Sequence, residues 1–195
     1  MEQAYTRTAV LLHWLSALAI FCAFPLGVYM HELQLSPRKL QLYSYHKWIG
    51  ITVLLLLAIR LLWRLRHRPP PLLPGMPRWQ ELAAQGMHYL LYLLLLAVPL
   101  TGWLMSSAMG FPVVWLGVIP LPDLVGKDKL LGDTFKEIHE TLNYTLLVLV
   151  LIHIAAAIKH HLIECDDTLR RMLPFLKPRL RAGAKTNVSR QSASR

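Results

Sequence analysis

The sequence has few cysteines and few acidic residues. Only 2 of its 195 residues are cysteines, and 11 Asp and Glu stand against 21 Lys and Arg. Cys22 lies within an apolar stretch and Cys165 just beyond another, so we expect no disulfide between them. There is no C-x-x-C-H motif, which excludes a covalently attached c-type haem. Strict two-residue alternation of polarity is also lacking, which disfavours a transmembrane β-barrel.

The chain does have a large apolar fraction and a strong positive charge. Hydrophobic residues make up 54% of it, and the formal net charge is +10. A basic soluble protein such as a nucleic-acid binder would not have a mean hydropathy of +0.38, so we expect no nucleic-acid partner. The combination is typical of a membrane protein whose basic loops contact anionic lipids.

Four long apolar stretches hold most of the hydrophobic residues, at 9–30, 48–63, 83–108 and 138–163. A membrane-spanning helix needs about 20 mostly apolar residues. The second stretch is therefore short unless its helix begins near Tyr43. We predict an all-α, integral membrane four-helix bundle.

The basic residues predict the orientation of this bundle. With four spans, the N-terminus, the connection between the second and third spans and the C-terminus share one side. That side holds 15 of the 21 basic residues, and the other side holds 6. Because cytoplasmic loops carry the excess of Lys and Arg in membrane proteins, we expect both termini in the cytoplasm.

Five of the nine histidines fall in or at the ends of the predicted helices: His13, His46, His88, His139 and His153. Each one alone is well explained as a hydrogen-bonded polar group in the bundle interior. Ionisable residues within membrane spans are costly and usually mark a functional site. Five together favour the functional interpretation.

The spacing of these histidines predicts two sites. His139 and His153 are 14 residues apart, which is about 1400° of rotation and about 21 Å of rise, so they share a helix face near opposite membrane surfaces. By depth, His13 pairs with His153, and His46 pairs with His139. Two stacked imidazole pairs fit two six-coordinate b-type haems. Zinc fits less well, although Glu137 and Glu140 leave a zinc site open at the outer end.

Several motifs are typical of one protein family. They are Tyr5-Thr6, His13-Trp14, His46-Lys47 with Gly50, Arg60 to Arg64, Pro69-Pro70-Pro71, His88 with Tyr92, Gly102, His139-Glu140, His153, Lys159-His160-His161 and Asp166 to Met172. On these residues the chain, from 5 to 173, resembles the bacterial cytochrome b561 family. That family is similar in turn to the membrane cytochrome b subunits of hydrogenases and formate dehydrogenases.

The resemblance implies four transmembrane helices that bind two non-covalent haems b in the bacterial inner membrane. By position, the implied axial ligands are His13, His46, His139 and His153. The second helix, by resemblance, begins near Tyr43. We predict a membrane domain over 1–175, with helices at 9–30, 43–65, 80–107 and 136–163, and a basic, disordered cytoplasmic tail over 176–195.

Other basic side chains have two interpretations each. His88 can replace a ligand of the inner haem, but a contact with that haem's pocket or propionate is the favoured interpretation. Arg60 and Arg64 are surface anchors or partners of the inner propionates, and Lys47 and Arg38 have the same choice on the outer side.

His160 and His161 end the fourth predicted helix. They form a polar helix end at the membrane surface, or they contact a quinone headgroup, since quinone reduction needs a proton donor there.

The predicted function is transmembrane electron transfer, because two haems supply a relay that side chains cannot. We expect exchange of electrons with ubiquinone and a periplasmic electron donor. Some members of the resembled family are implied to oxidise superoxide. The alternatives are a membrane-anchor cytochrome that serves a separate redox protein, and a transporter that uses intramembrane histidines.

Overall fold

A computed structural model describes residues 4–71, 77–164 and 167–173. The predicted tail, 176–195, lies outside these residues. The chain forms two compact units, 1–154 and 155–195. The elements are helices α1 (Arg7–Glu32), α2 (Pro37–Arg66), α3 (Arg78–Ala108) and α4 (Lys129–Leu162), and two short strands, β1 (Val114–Trp115) and β2 (Ile119–Pro120). All four helices are long and apolar enough to cross a membrane, which confirms the predicted spans.

All four helices begin earlier than the sequence predicts, and the difference is largest for α2 and α4. Helix α2 begins at Pro37 rather than near Tyr43, and the Ser36 hydroxyl caps it by accepting from the Lys39 amide at 3.3 Å. Helix α4 begins at Lys129 rather than at 136. The carboxylate of the preceding Asp128 accepts from the Leu131 amide at 3.0 Å. The prediction followed continuous apolar stretches, whereas the residues added at these two helix starts are mixed in polarity and follow the capping residues Ser36 and Asp128.

The helices of the first unit pack around two apolar clusters. Val53 and Leu57 of α2 meet Leu95 of α3, with Ala19 and Ile20 of α1 against them. A second cluster is formed by Leu94 and Val98 of α3 with Leu146 of α4.

The outer faces of the helices are apolar too. Leu18 is 61% exposed and Leu62 is 59% exposed. An apolar exterior around a packed interior suits a hydrocarbon solvent, and it agrees with a multi-pass membrane protein.

The segment 109–128 closes one end of the first unit, which we call the loop end. Strand β1 pairs antiparallel with β2, and the Val113 side chain beside them is 2% exposed. Indole N–H groups hold the segment: Trp48 donates to Val114 O at 2.6 Å, and Trp103 donates to Pro122 O at 3.1 Å. A further indole in the segment, that of Trp115, donates to the Thr52 hydroxyl at 3.3 Å. These three indoles therefore fasten the segment to α2 and α3.

We expect Trp48→Phe to loosen this segment. The substitution keeps an aromatic ring but removes the N–H that satisfies Val114 O, which costs about 1 kcal/mol locally. Limited proteolysis in detergent should cleave the variant within 109–128 several-fold faster than the wild type. Trp79→Phe is the control, because Trp79 is 67% exposed; equal rates for all three proteins would contradict the assignment.

Candidate functional site

Two histidine rings face each other near the loop end of the first unit. The ring centres of His46 on α2 and His139 on α4 are 6.2 Å apart, and their planes meet at 88°. His46 Nδ1–H donates to Ala23 O at 3.1 Å, and His139 Nδ1–H donates to Val98 O at 2.8 Å. Because a carbonyl only accepts, Nδ1 carries the proton in both rings. Nε2 is then the nitrogen with a free lone pair, the form in which imidazole binds a metal.

A threonine supports one of these rings. The Thr101 hydroxyl oxygen lies 3.3 Å from His139 Nδ1, while the hydroxyl hydrogen bonds to main-chain carbonyls of its own helix. The threonine and the carbonyl that His139 bonds both belong to α3. The orientation of the His139 ring is therefore set by the neighbouring helix.

The end of the first unit opposite the loop end holds the start of α1 and the end of α2, and we call it the terminal end. Three histidines meet nearer this terminal end. The ring centres of His13 and His153 are 6.4 Å apart, with planes at 61°. His88 of α3 lies 5.5 Å from the same His153 ring. A guanidinium nitrogen of Arg60 lies 3.3 Å from His13 Nδ1.

Two guanidinium groups stack on one tyrosine beside this cluster. Arg60 lies 5.1 Å and Arg64 lies 5.6 Å from the centre of the Tyr92 ring. Stacking on an aromatic face holds a guanidinium in place while its N–H groups stay available to anions. The terminal-end cluster is therefore rich in fixed positive charge.

The spacing of both pairs suits one metal ion between each two rings. A metal–imidazole bond is about 2 Å long and the ring centre lies about 1.1 Å behind the nitrogen, so rings on opposite sides of an ion have centres about 6 Å apart. The pairs His46–His139 and His13–His153 both have this separation, at 6.2 and 6.4 Å. Apolar helices surround them, so the residues present fit a bis-histidine haem.

No comparable geometry supports a zinc site at the loop end. Among residues 4–71, 77–164 and 167–173, no group of three or more His, Cys, Asp or Glu side chains is placed to hold a metal ion. Glu137 and Glu140 therefore do not complete a three-ligand site with His139 there.

Lys47 has partners in the loop. Its ammonium donates to Phe111 O at 3.2 Å and to Pro112 O at 3.5 Å. Arg38 lies in the first turn of α2. A propionate contact for either side chain stays a prediction.

His160 and His161 belong to the second unit, in the last turn of α4. His160 Nδ1 lies 2.6 Å from a Glu164 carboxylate oxygen, and Lys159 Nζ lies 2.7 Å from the other. The carboxylate thus joins two basic residues at this helix end. A quinone contact there stays a prediction.

Three residues of the site escaped the sequence analysis: Thr101, Ala23 and Val98. A polar residue two positions after Pro99, within an apolar stretch, is a weak signal for Thr101. The two carbonyl acceptors carry no sequence signal, since every residue has a carbonyl. Only the packing of α1 against α2 and of α3 against α4 selects them.

The fold and the paired imidazoles define a class: a multi-pass helical membrane protein with histidine pairs in its interior. The sequence profile of the prokaryotic cytochrome b561 family matches residues 4–175. This chain therefore belongs to the prokaryotic cytochrome b561 family, whose members carry electrons in membranes and whose cofactor is b-type haem.

Individual relatives agree with this assignment. The chain is 36% identical over 172 residues to cytochrome b561 homolog 2 of Escherichia coli K12, covering 88% of this chain and 92% of that protein. It is 32% identical over 176 residues to cytochrome b561 homolog 1 of the same organism, covering 89% and 98%. It is also 32% identical over 183 residues to the probable superoxide oxidase CybB of Yersinia pestis, covering 89% and 98%.

Proposed function

We propose that this protein carries electrons across the bacterial inner membrane through two b-type haems, from superoxide at the periplasmic face to ubiquinone. The proposed axial ligands are His46 with His139 at the loop end and His13 with His153 at the terminal end. The carrying observation is that there are two imidazole pairs, with ring centres 6.2 and 6.4 Å apart. One member of each pair, His139 and His153, lies on α4, and these two are separated by about 21 Å of helix rise.

The chain's own residues bind and orient the cofactor. A bound haem supplies a reversible one-electron couple. Carbonyls of α1 and α3 hold the loop-end imidazoles with Nε2 free. At the terminal end, Arg60 and Arg64 lie beside the imidazoles as partners for acidic propionates. Apolar side chains of the four helices exclude water between the two sites.

The proposed orientation puts the terminal end in the cytoplasm and the loop end in the periplasm. It is supported by the sequence: with four spans, the two termini and the connection between the second and third spans hold 15 basic residues, against 6 in the remaining connections. A cytoplasmic terminal end lets Arg7 and Arg66 contact the anionic inner leaflet.

The proposed electron donor, superoxide, is taken from the name of a relative, and the proposed acceptor, ubiquinone, balances the electrons that superoxide releases. The Yersinia pestis relative, at 32% identity, is named a probable superoxide oxidase. Two superoxide anions release two electrons and become two molecules of dioxygen; one ubiquinone takes these electrons with two protons. His160 and His161, at the end of α4, are the proposed proton donors near the membrane surface.

The test supplies superoxide enzymatically to the purified protein with a soluble ubiquinone analogue and follows formation of quinol. We expect one quinol per two superoxide anions consumed, above the rate with added superoxide dismutase. His139→Ala, which removes a loop-end ligand, should fall to that background.

Two other results would refute the proposal in different ways. Quinol formation at the background rate with the wild type would remove superoxide as the donor. Quinol formation only after addition of a periplasmic redox protein would instead favour the membrane-anchor alternative.

A further inference from the structure

One loop-end imidazole packs directly against a glycine of the neighbouring helix. Gly27 of α1 lies so close to His46 that a Cβ built on it would be 3.2 Å from His46 Cε1. Carbon atoms in ordinary contact are about 3.5–4.0 Å apart. The carbonyl that accepts the His46 N–H belongs to Ala23, four residues before Gly27. Residues four apart lie on one face of a helix, so this ring fits between a carbonyl and a glycine one turn away.

The opposite imidazole has the same arrangement on another helix. A Cβ built on Gly102 of α3 would be 2.9 Å from His139 Cε1 and 3.2 Å from its Nδ1. The acceptor carbonyl is again four residues earlier, at Val98. Each glycine also follows a proline within its helix, Pro25 in α1 and Pro99 in α3.

Glycine destabilises a helix interior more than any residue except proline, so a glycine within a helix usually has a packing or functional role. Gly86, also in α3, has open space where its Cβ would be. None of the glycines in the described residues has such a contact with His13 or His153. Glycine contacts with histidine rings are thus confined to the loop-end pair, whose ring planes meet at 88° rather than 61°.

We propose that Gly27 and Gly102 are positioning residues that hold the His46 and His139 ring planes perpendicular by close approach of the α1 and α3 backbones. The inference rests on the proposed haem ligation. The angle between axial imidazole planes sets how the d orbitals of a low-spin ferric ion split. Near-perpendicular planes give a strongly anisotropic electron paramagnetic resonance signal, and rotation toward parallel reduces the anisotropy. These glycines therefore fix the electronic structure of the loop-end haem through its ligands.

The test compares the oxidised wild type with Gly27→Ala, Gly102→Ala and Gly86→Ala by this spectroscopy, with haem content measured on the same samples. His139→Ala identifies the loop-end signal as the one it loses. We expect Gly102→Ala to shift that signal toward lower anisotropy and to leave the terminal-end signal unchanged. Gly27→Ala should shift the same signal less, because its Cβ contact is longer. Gly86→Ala should match the wild type.

The possible outcomes separate this inference from the proposed function. Wild-type spectra without two low-spin signals would refute the proposed ligation. Two wild-type signals that stay unchanged in both Gly27→Ala and Gly102→Ala, with two haems retained, would overturn the role of the glycines alone. Should Gly102→Ala fail to fold, Gly27→Ala decides by itself, since its Cβ contact with the histidine ring is longer, 3.2 Å against 2.9 Å.

Discussion

His139→Ala should lower the haem content of the purified protein from two per chain to one. His139 is the loop-end ligand on α4, and its ring centre lies 6.2 Å from that of His46. Methyl cannot replace imidazole as a ligand, and the opposite histidine alone holds the porphyrin too weakly to survive purification. The terminal-end pair belongs to a different level of the bundle, about 21 Å away along α4, so its haem should stay.

The control for this loss is His31→Ala. His31 lies in the last turn of α1. Its side chain is 57% exposed and pairs with the neighbouring Glu32 carboxylate at 3.3 Å. It should keep two haems per chain by haem quantitation. Two haems in His139→Ala would contradict the loop-end assignment, and His153→Ala extends the test, since it should lose the terminal-end haem instead.

His13→Ala should remove the terminal-end haem, whereas His88→Ala should keep it. The two rings compete for the position opposite His153. The His13–His153 separation of 6.4 Å suits a metal ion between them, and the His88–His153 separation of 5.5 Å is shorter than that geometry requires. His88 is also more exposed than His13.

Haem content and midpoint potential of the two variants together decide the assignment. His88→Ala should retain two haems and shift only the terminal-end potential, because a polar neighbour of His153 is lost. If His88→Ala loses a haem and His13→Ala does not, the pair is His88 with His153. Replacing His13 by His88 as the partner of His153 would not change the assignment of His46 and His139.

The sequence predicts the number of spans and which rings meet. Fourteen residues between His139 and His153 place them on one helix face, and depth alone matches His46 with one and His13 with the other. The structure places these rings 6.2 and 6.4 Å apart, and their role as haem ligands stays a prediction. His88 joins the terminal-end cluster as well, which its depth in the third helix also predicts.

Other features depend on tertiary contacts and carry no periodic signal. Helix α2 begins at Pro37 because Ser36 caps it, and an apolar pattern does not register a cap. The close approach of Gly27 to His46 depends on how α1 packs against α2. The loop-end strands escape prediction for the same reason, since indoles from α2 and α3 hold them.

The most direct test of the central claim is a redox titration of the purified wild type, followed by absorption, with haem counted per chain. Two bis-histidine sites predict b-type reduced-minus-oxidised bands, two haems per chain and a titration that needs two one-electron midpoints. Absence of b-type bands, or a single haem that titrates with one midpoint, would contradict the account.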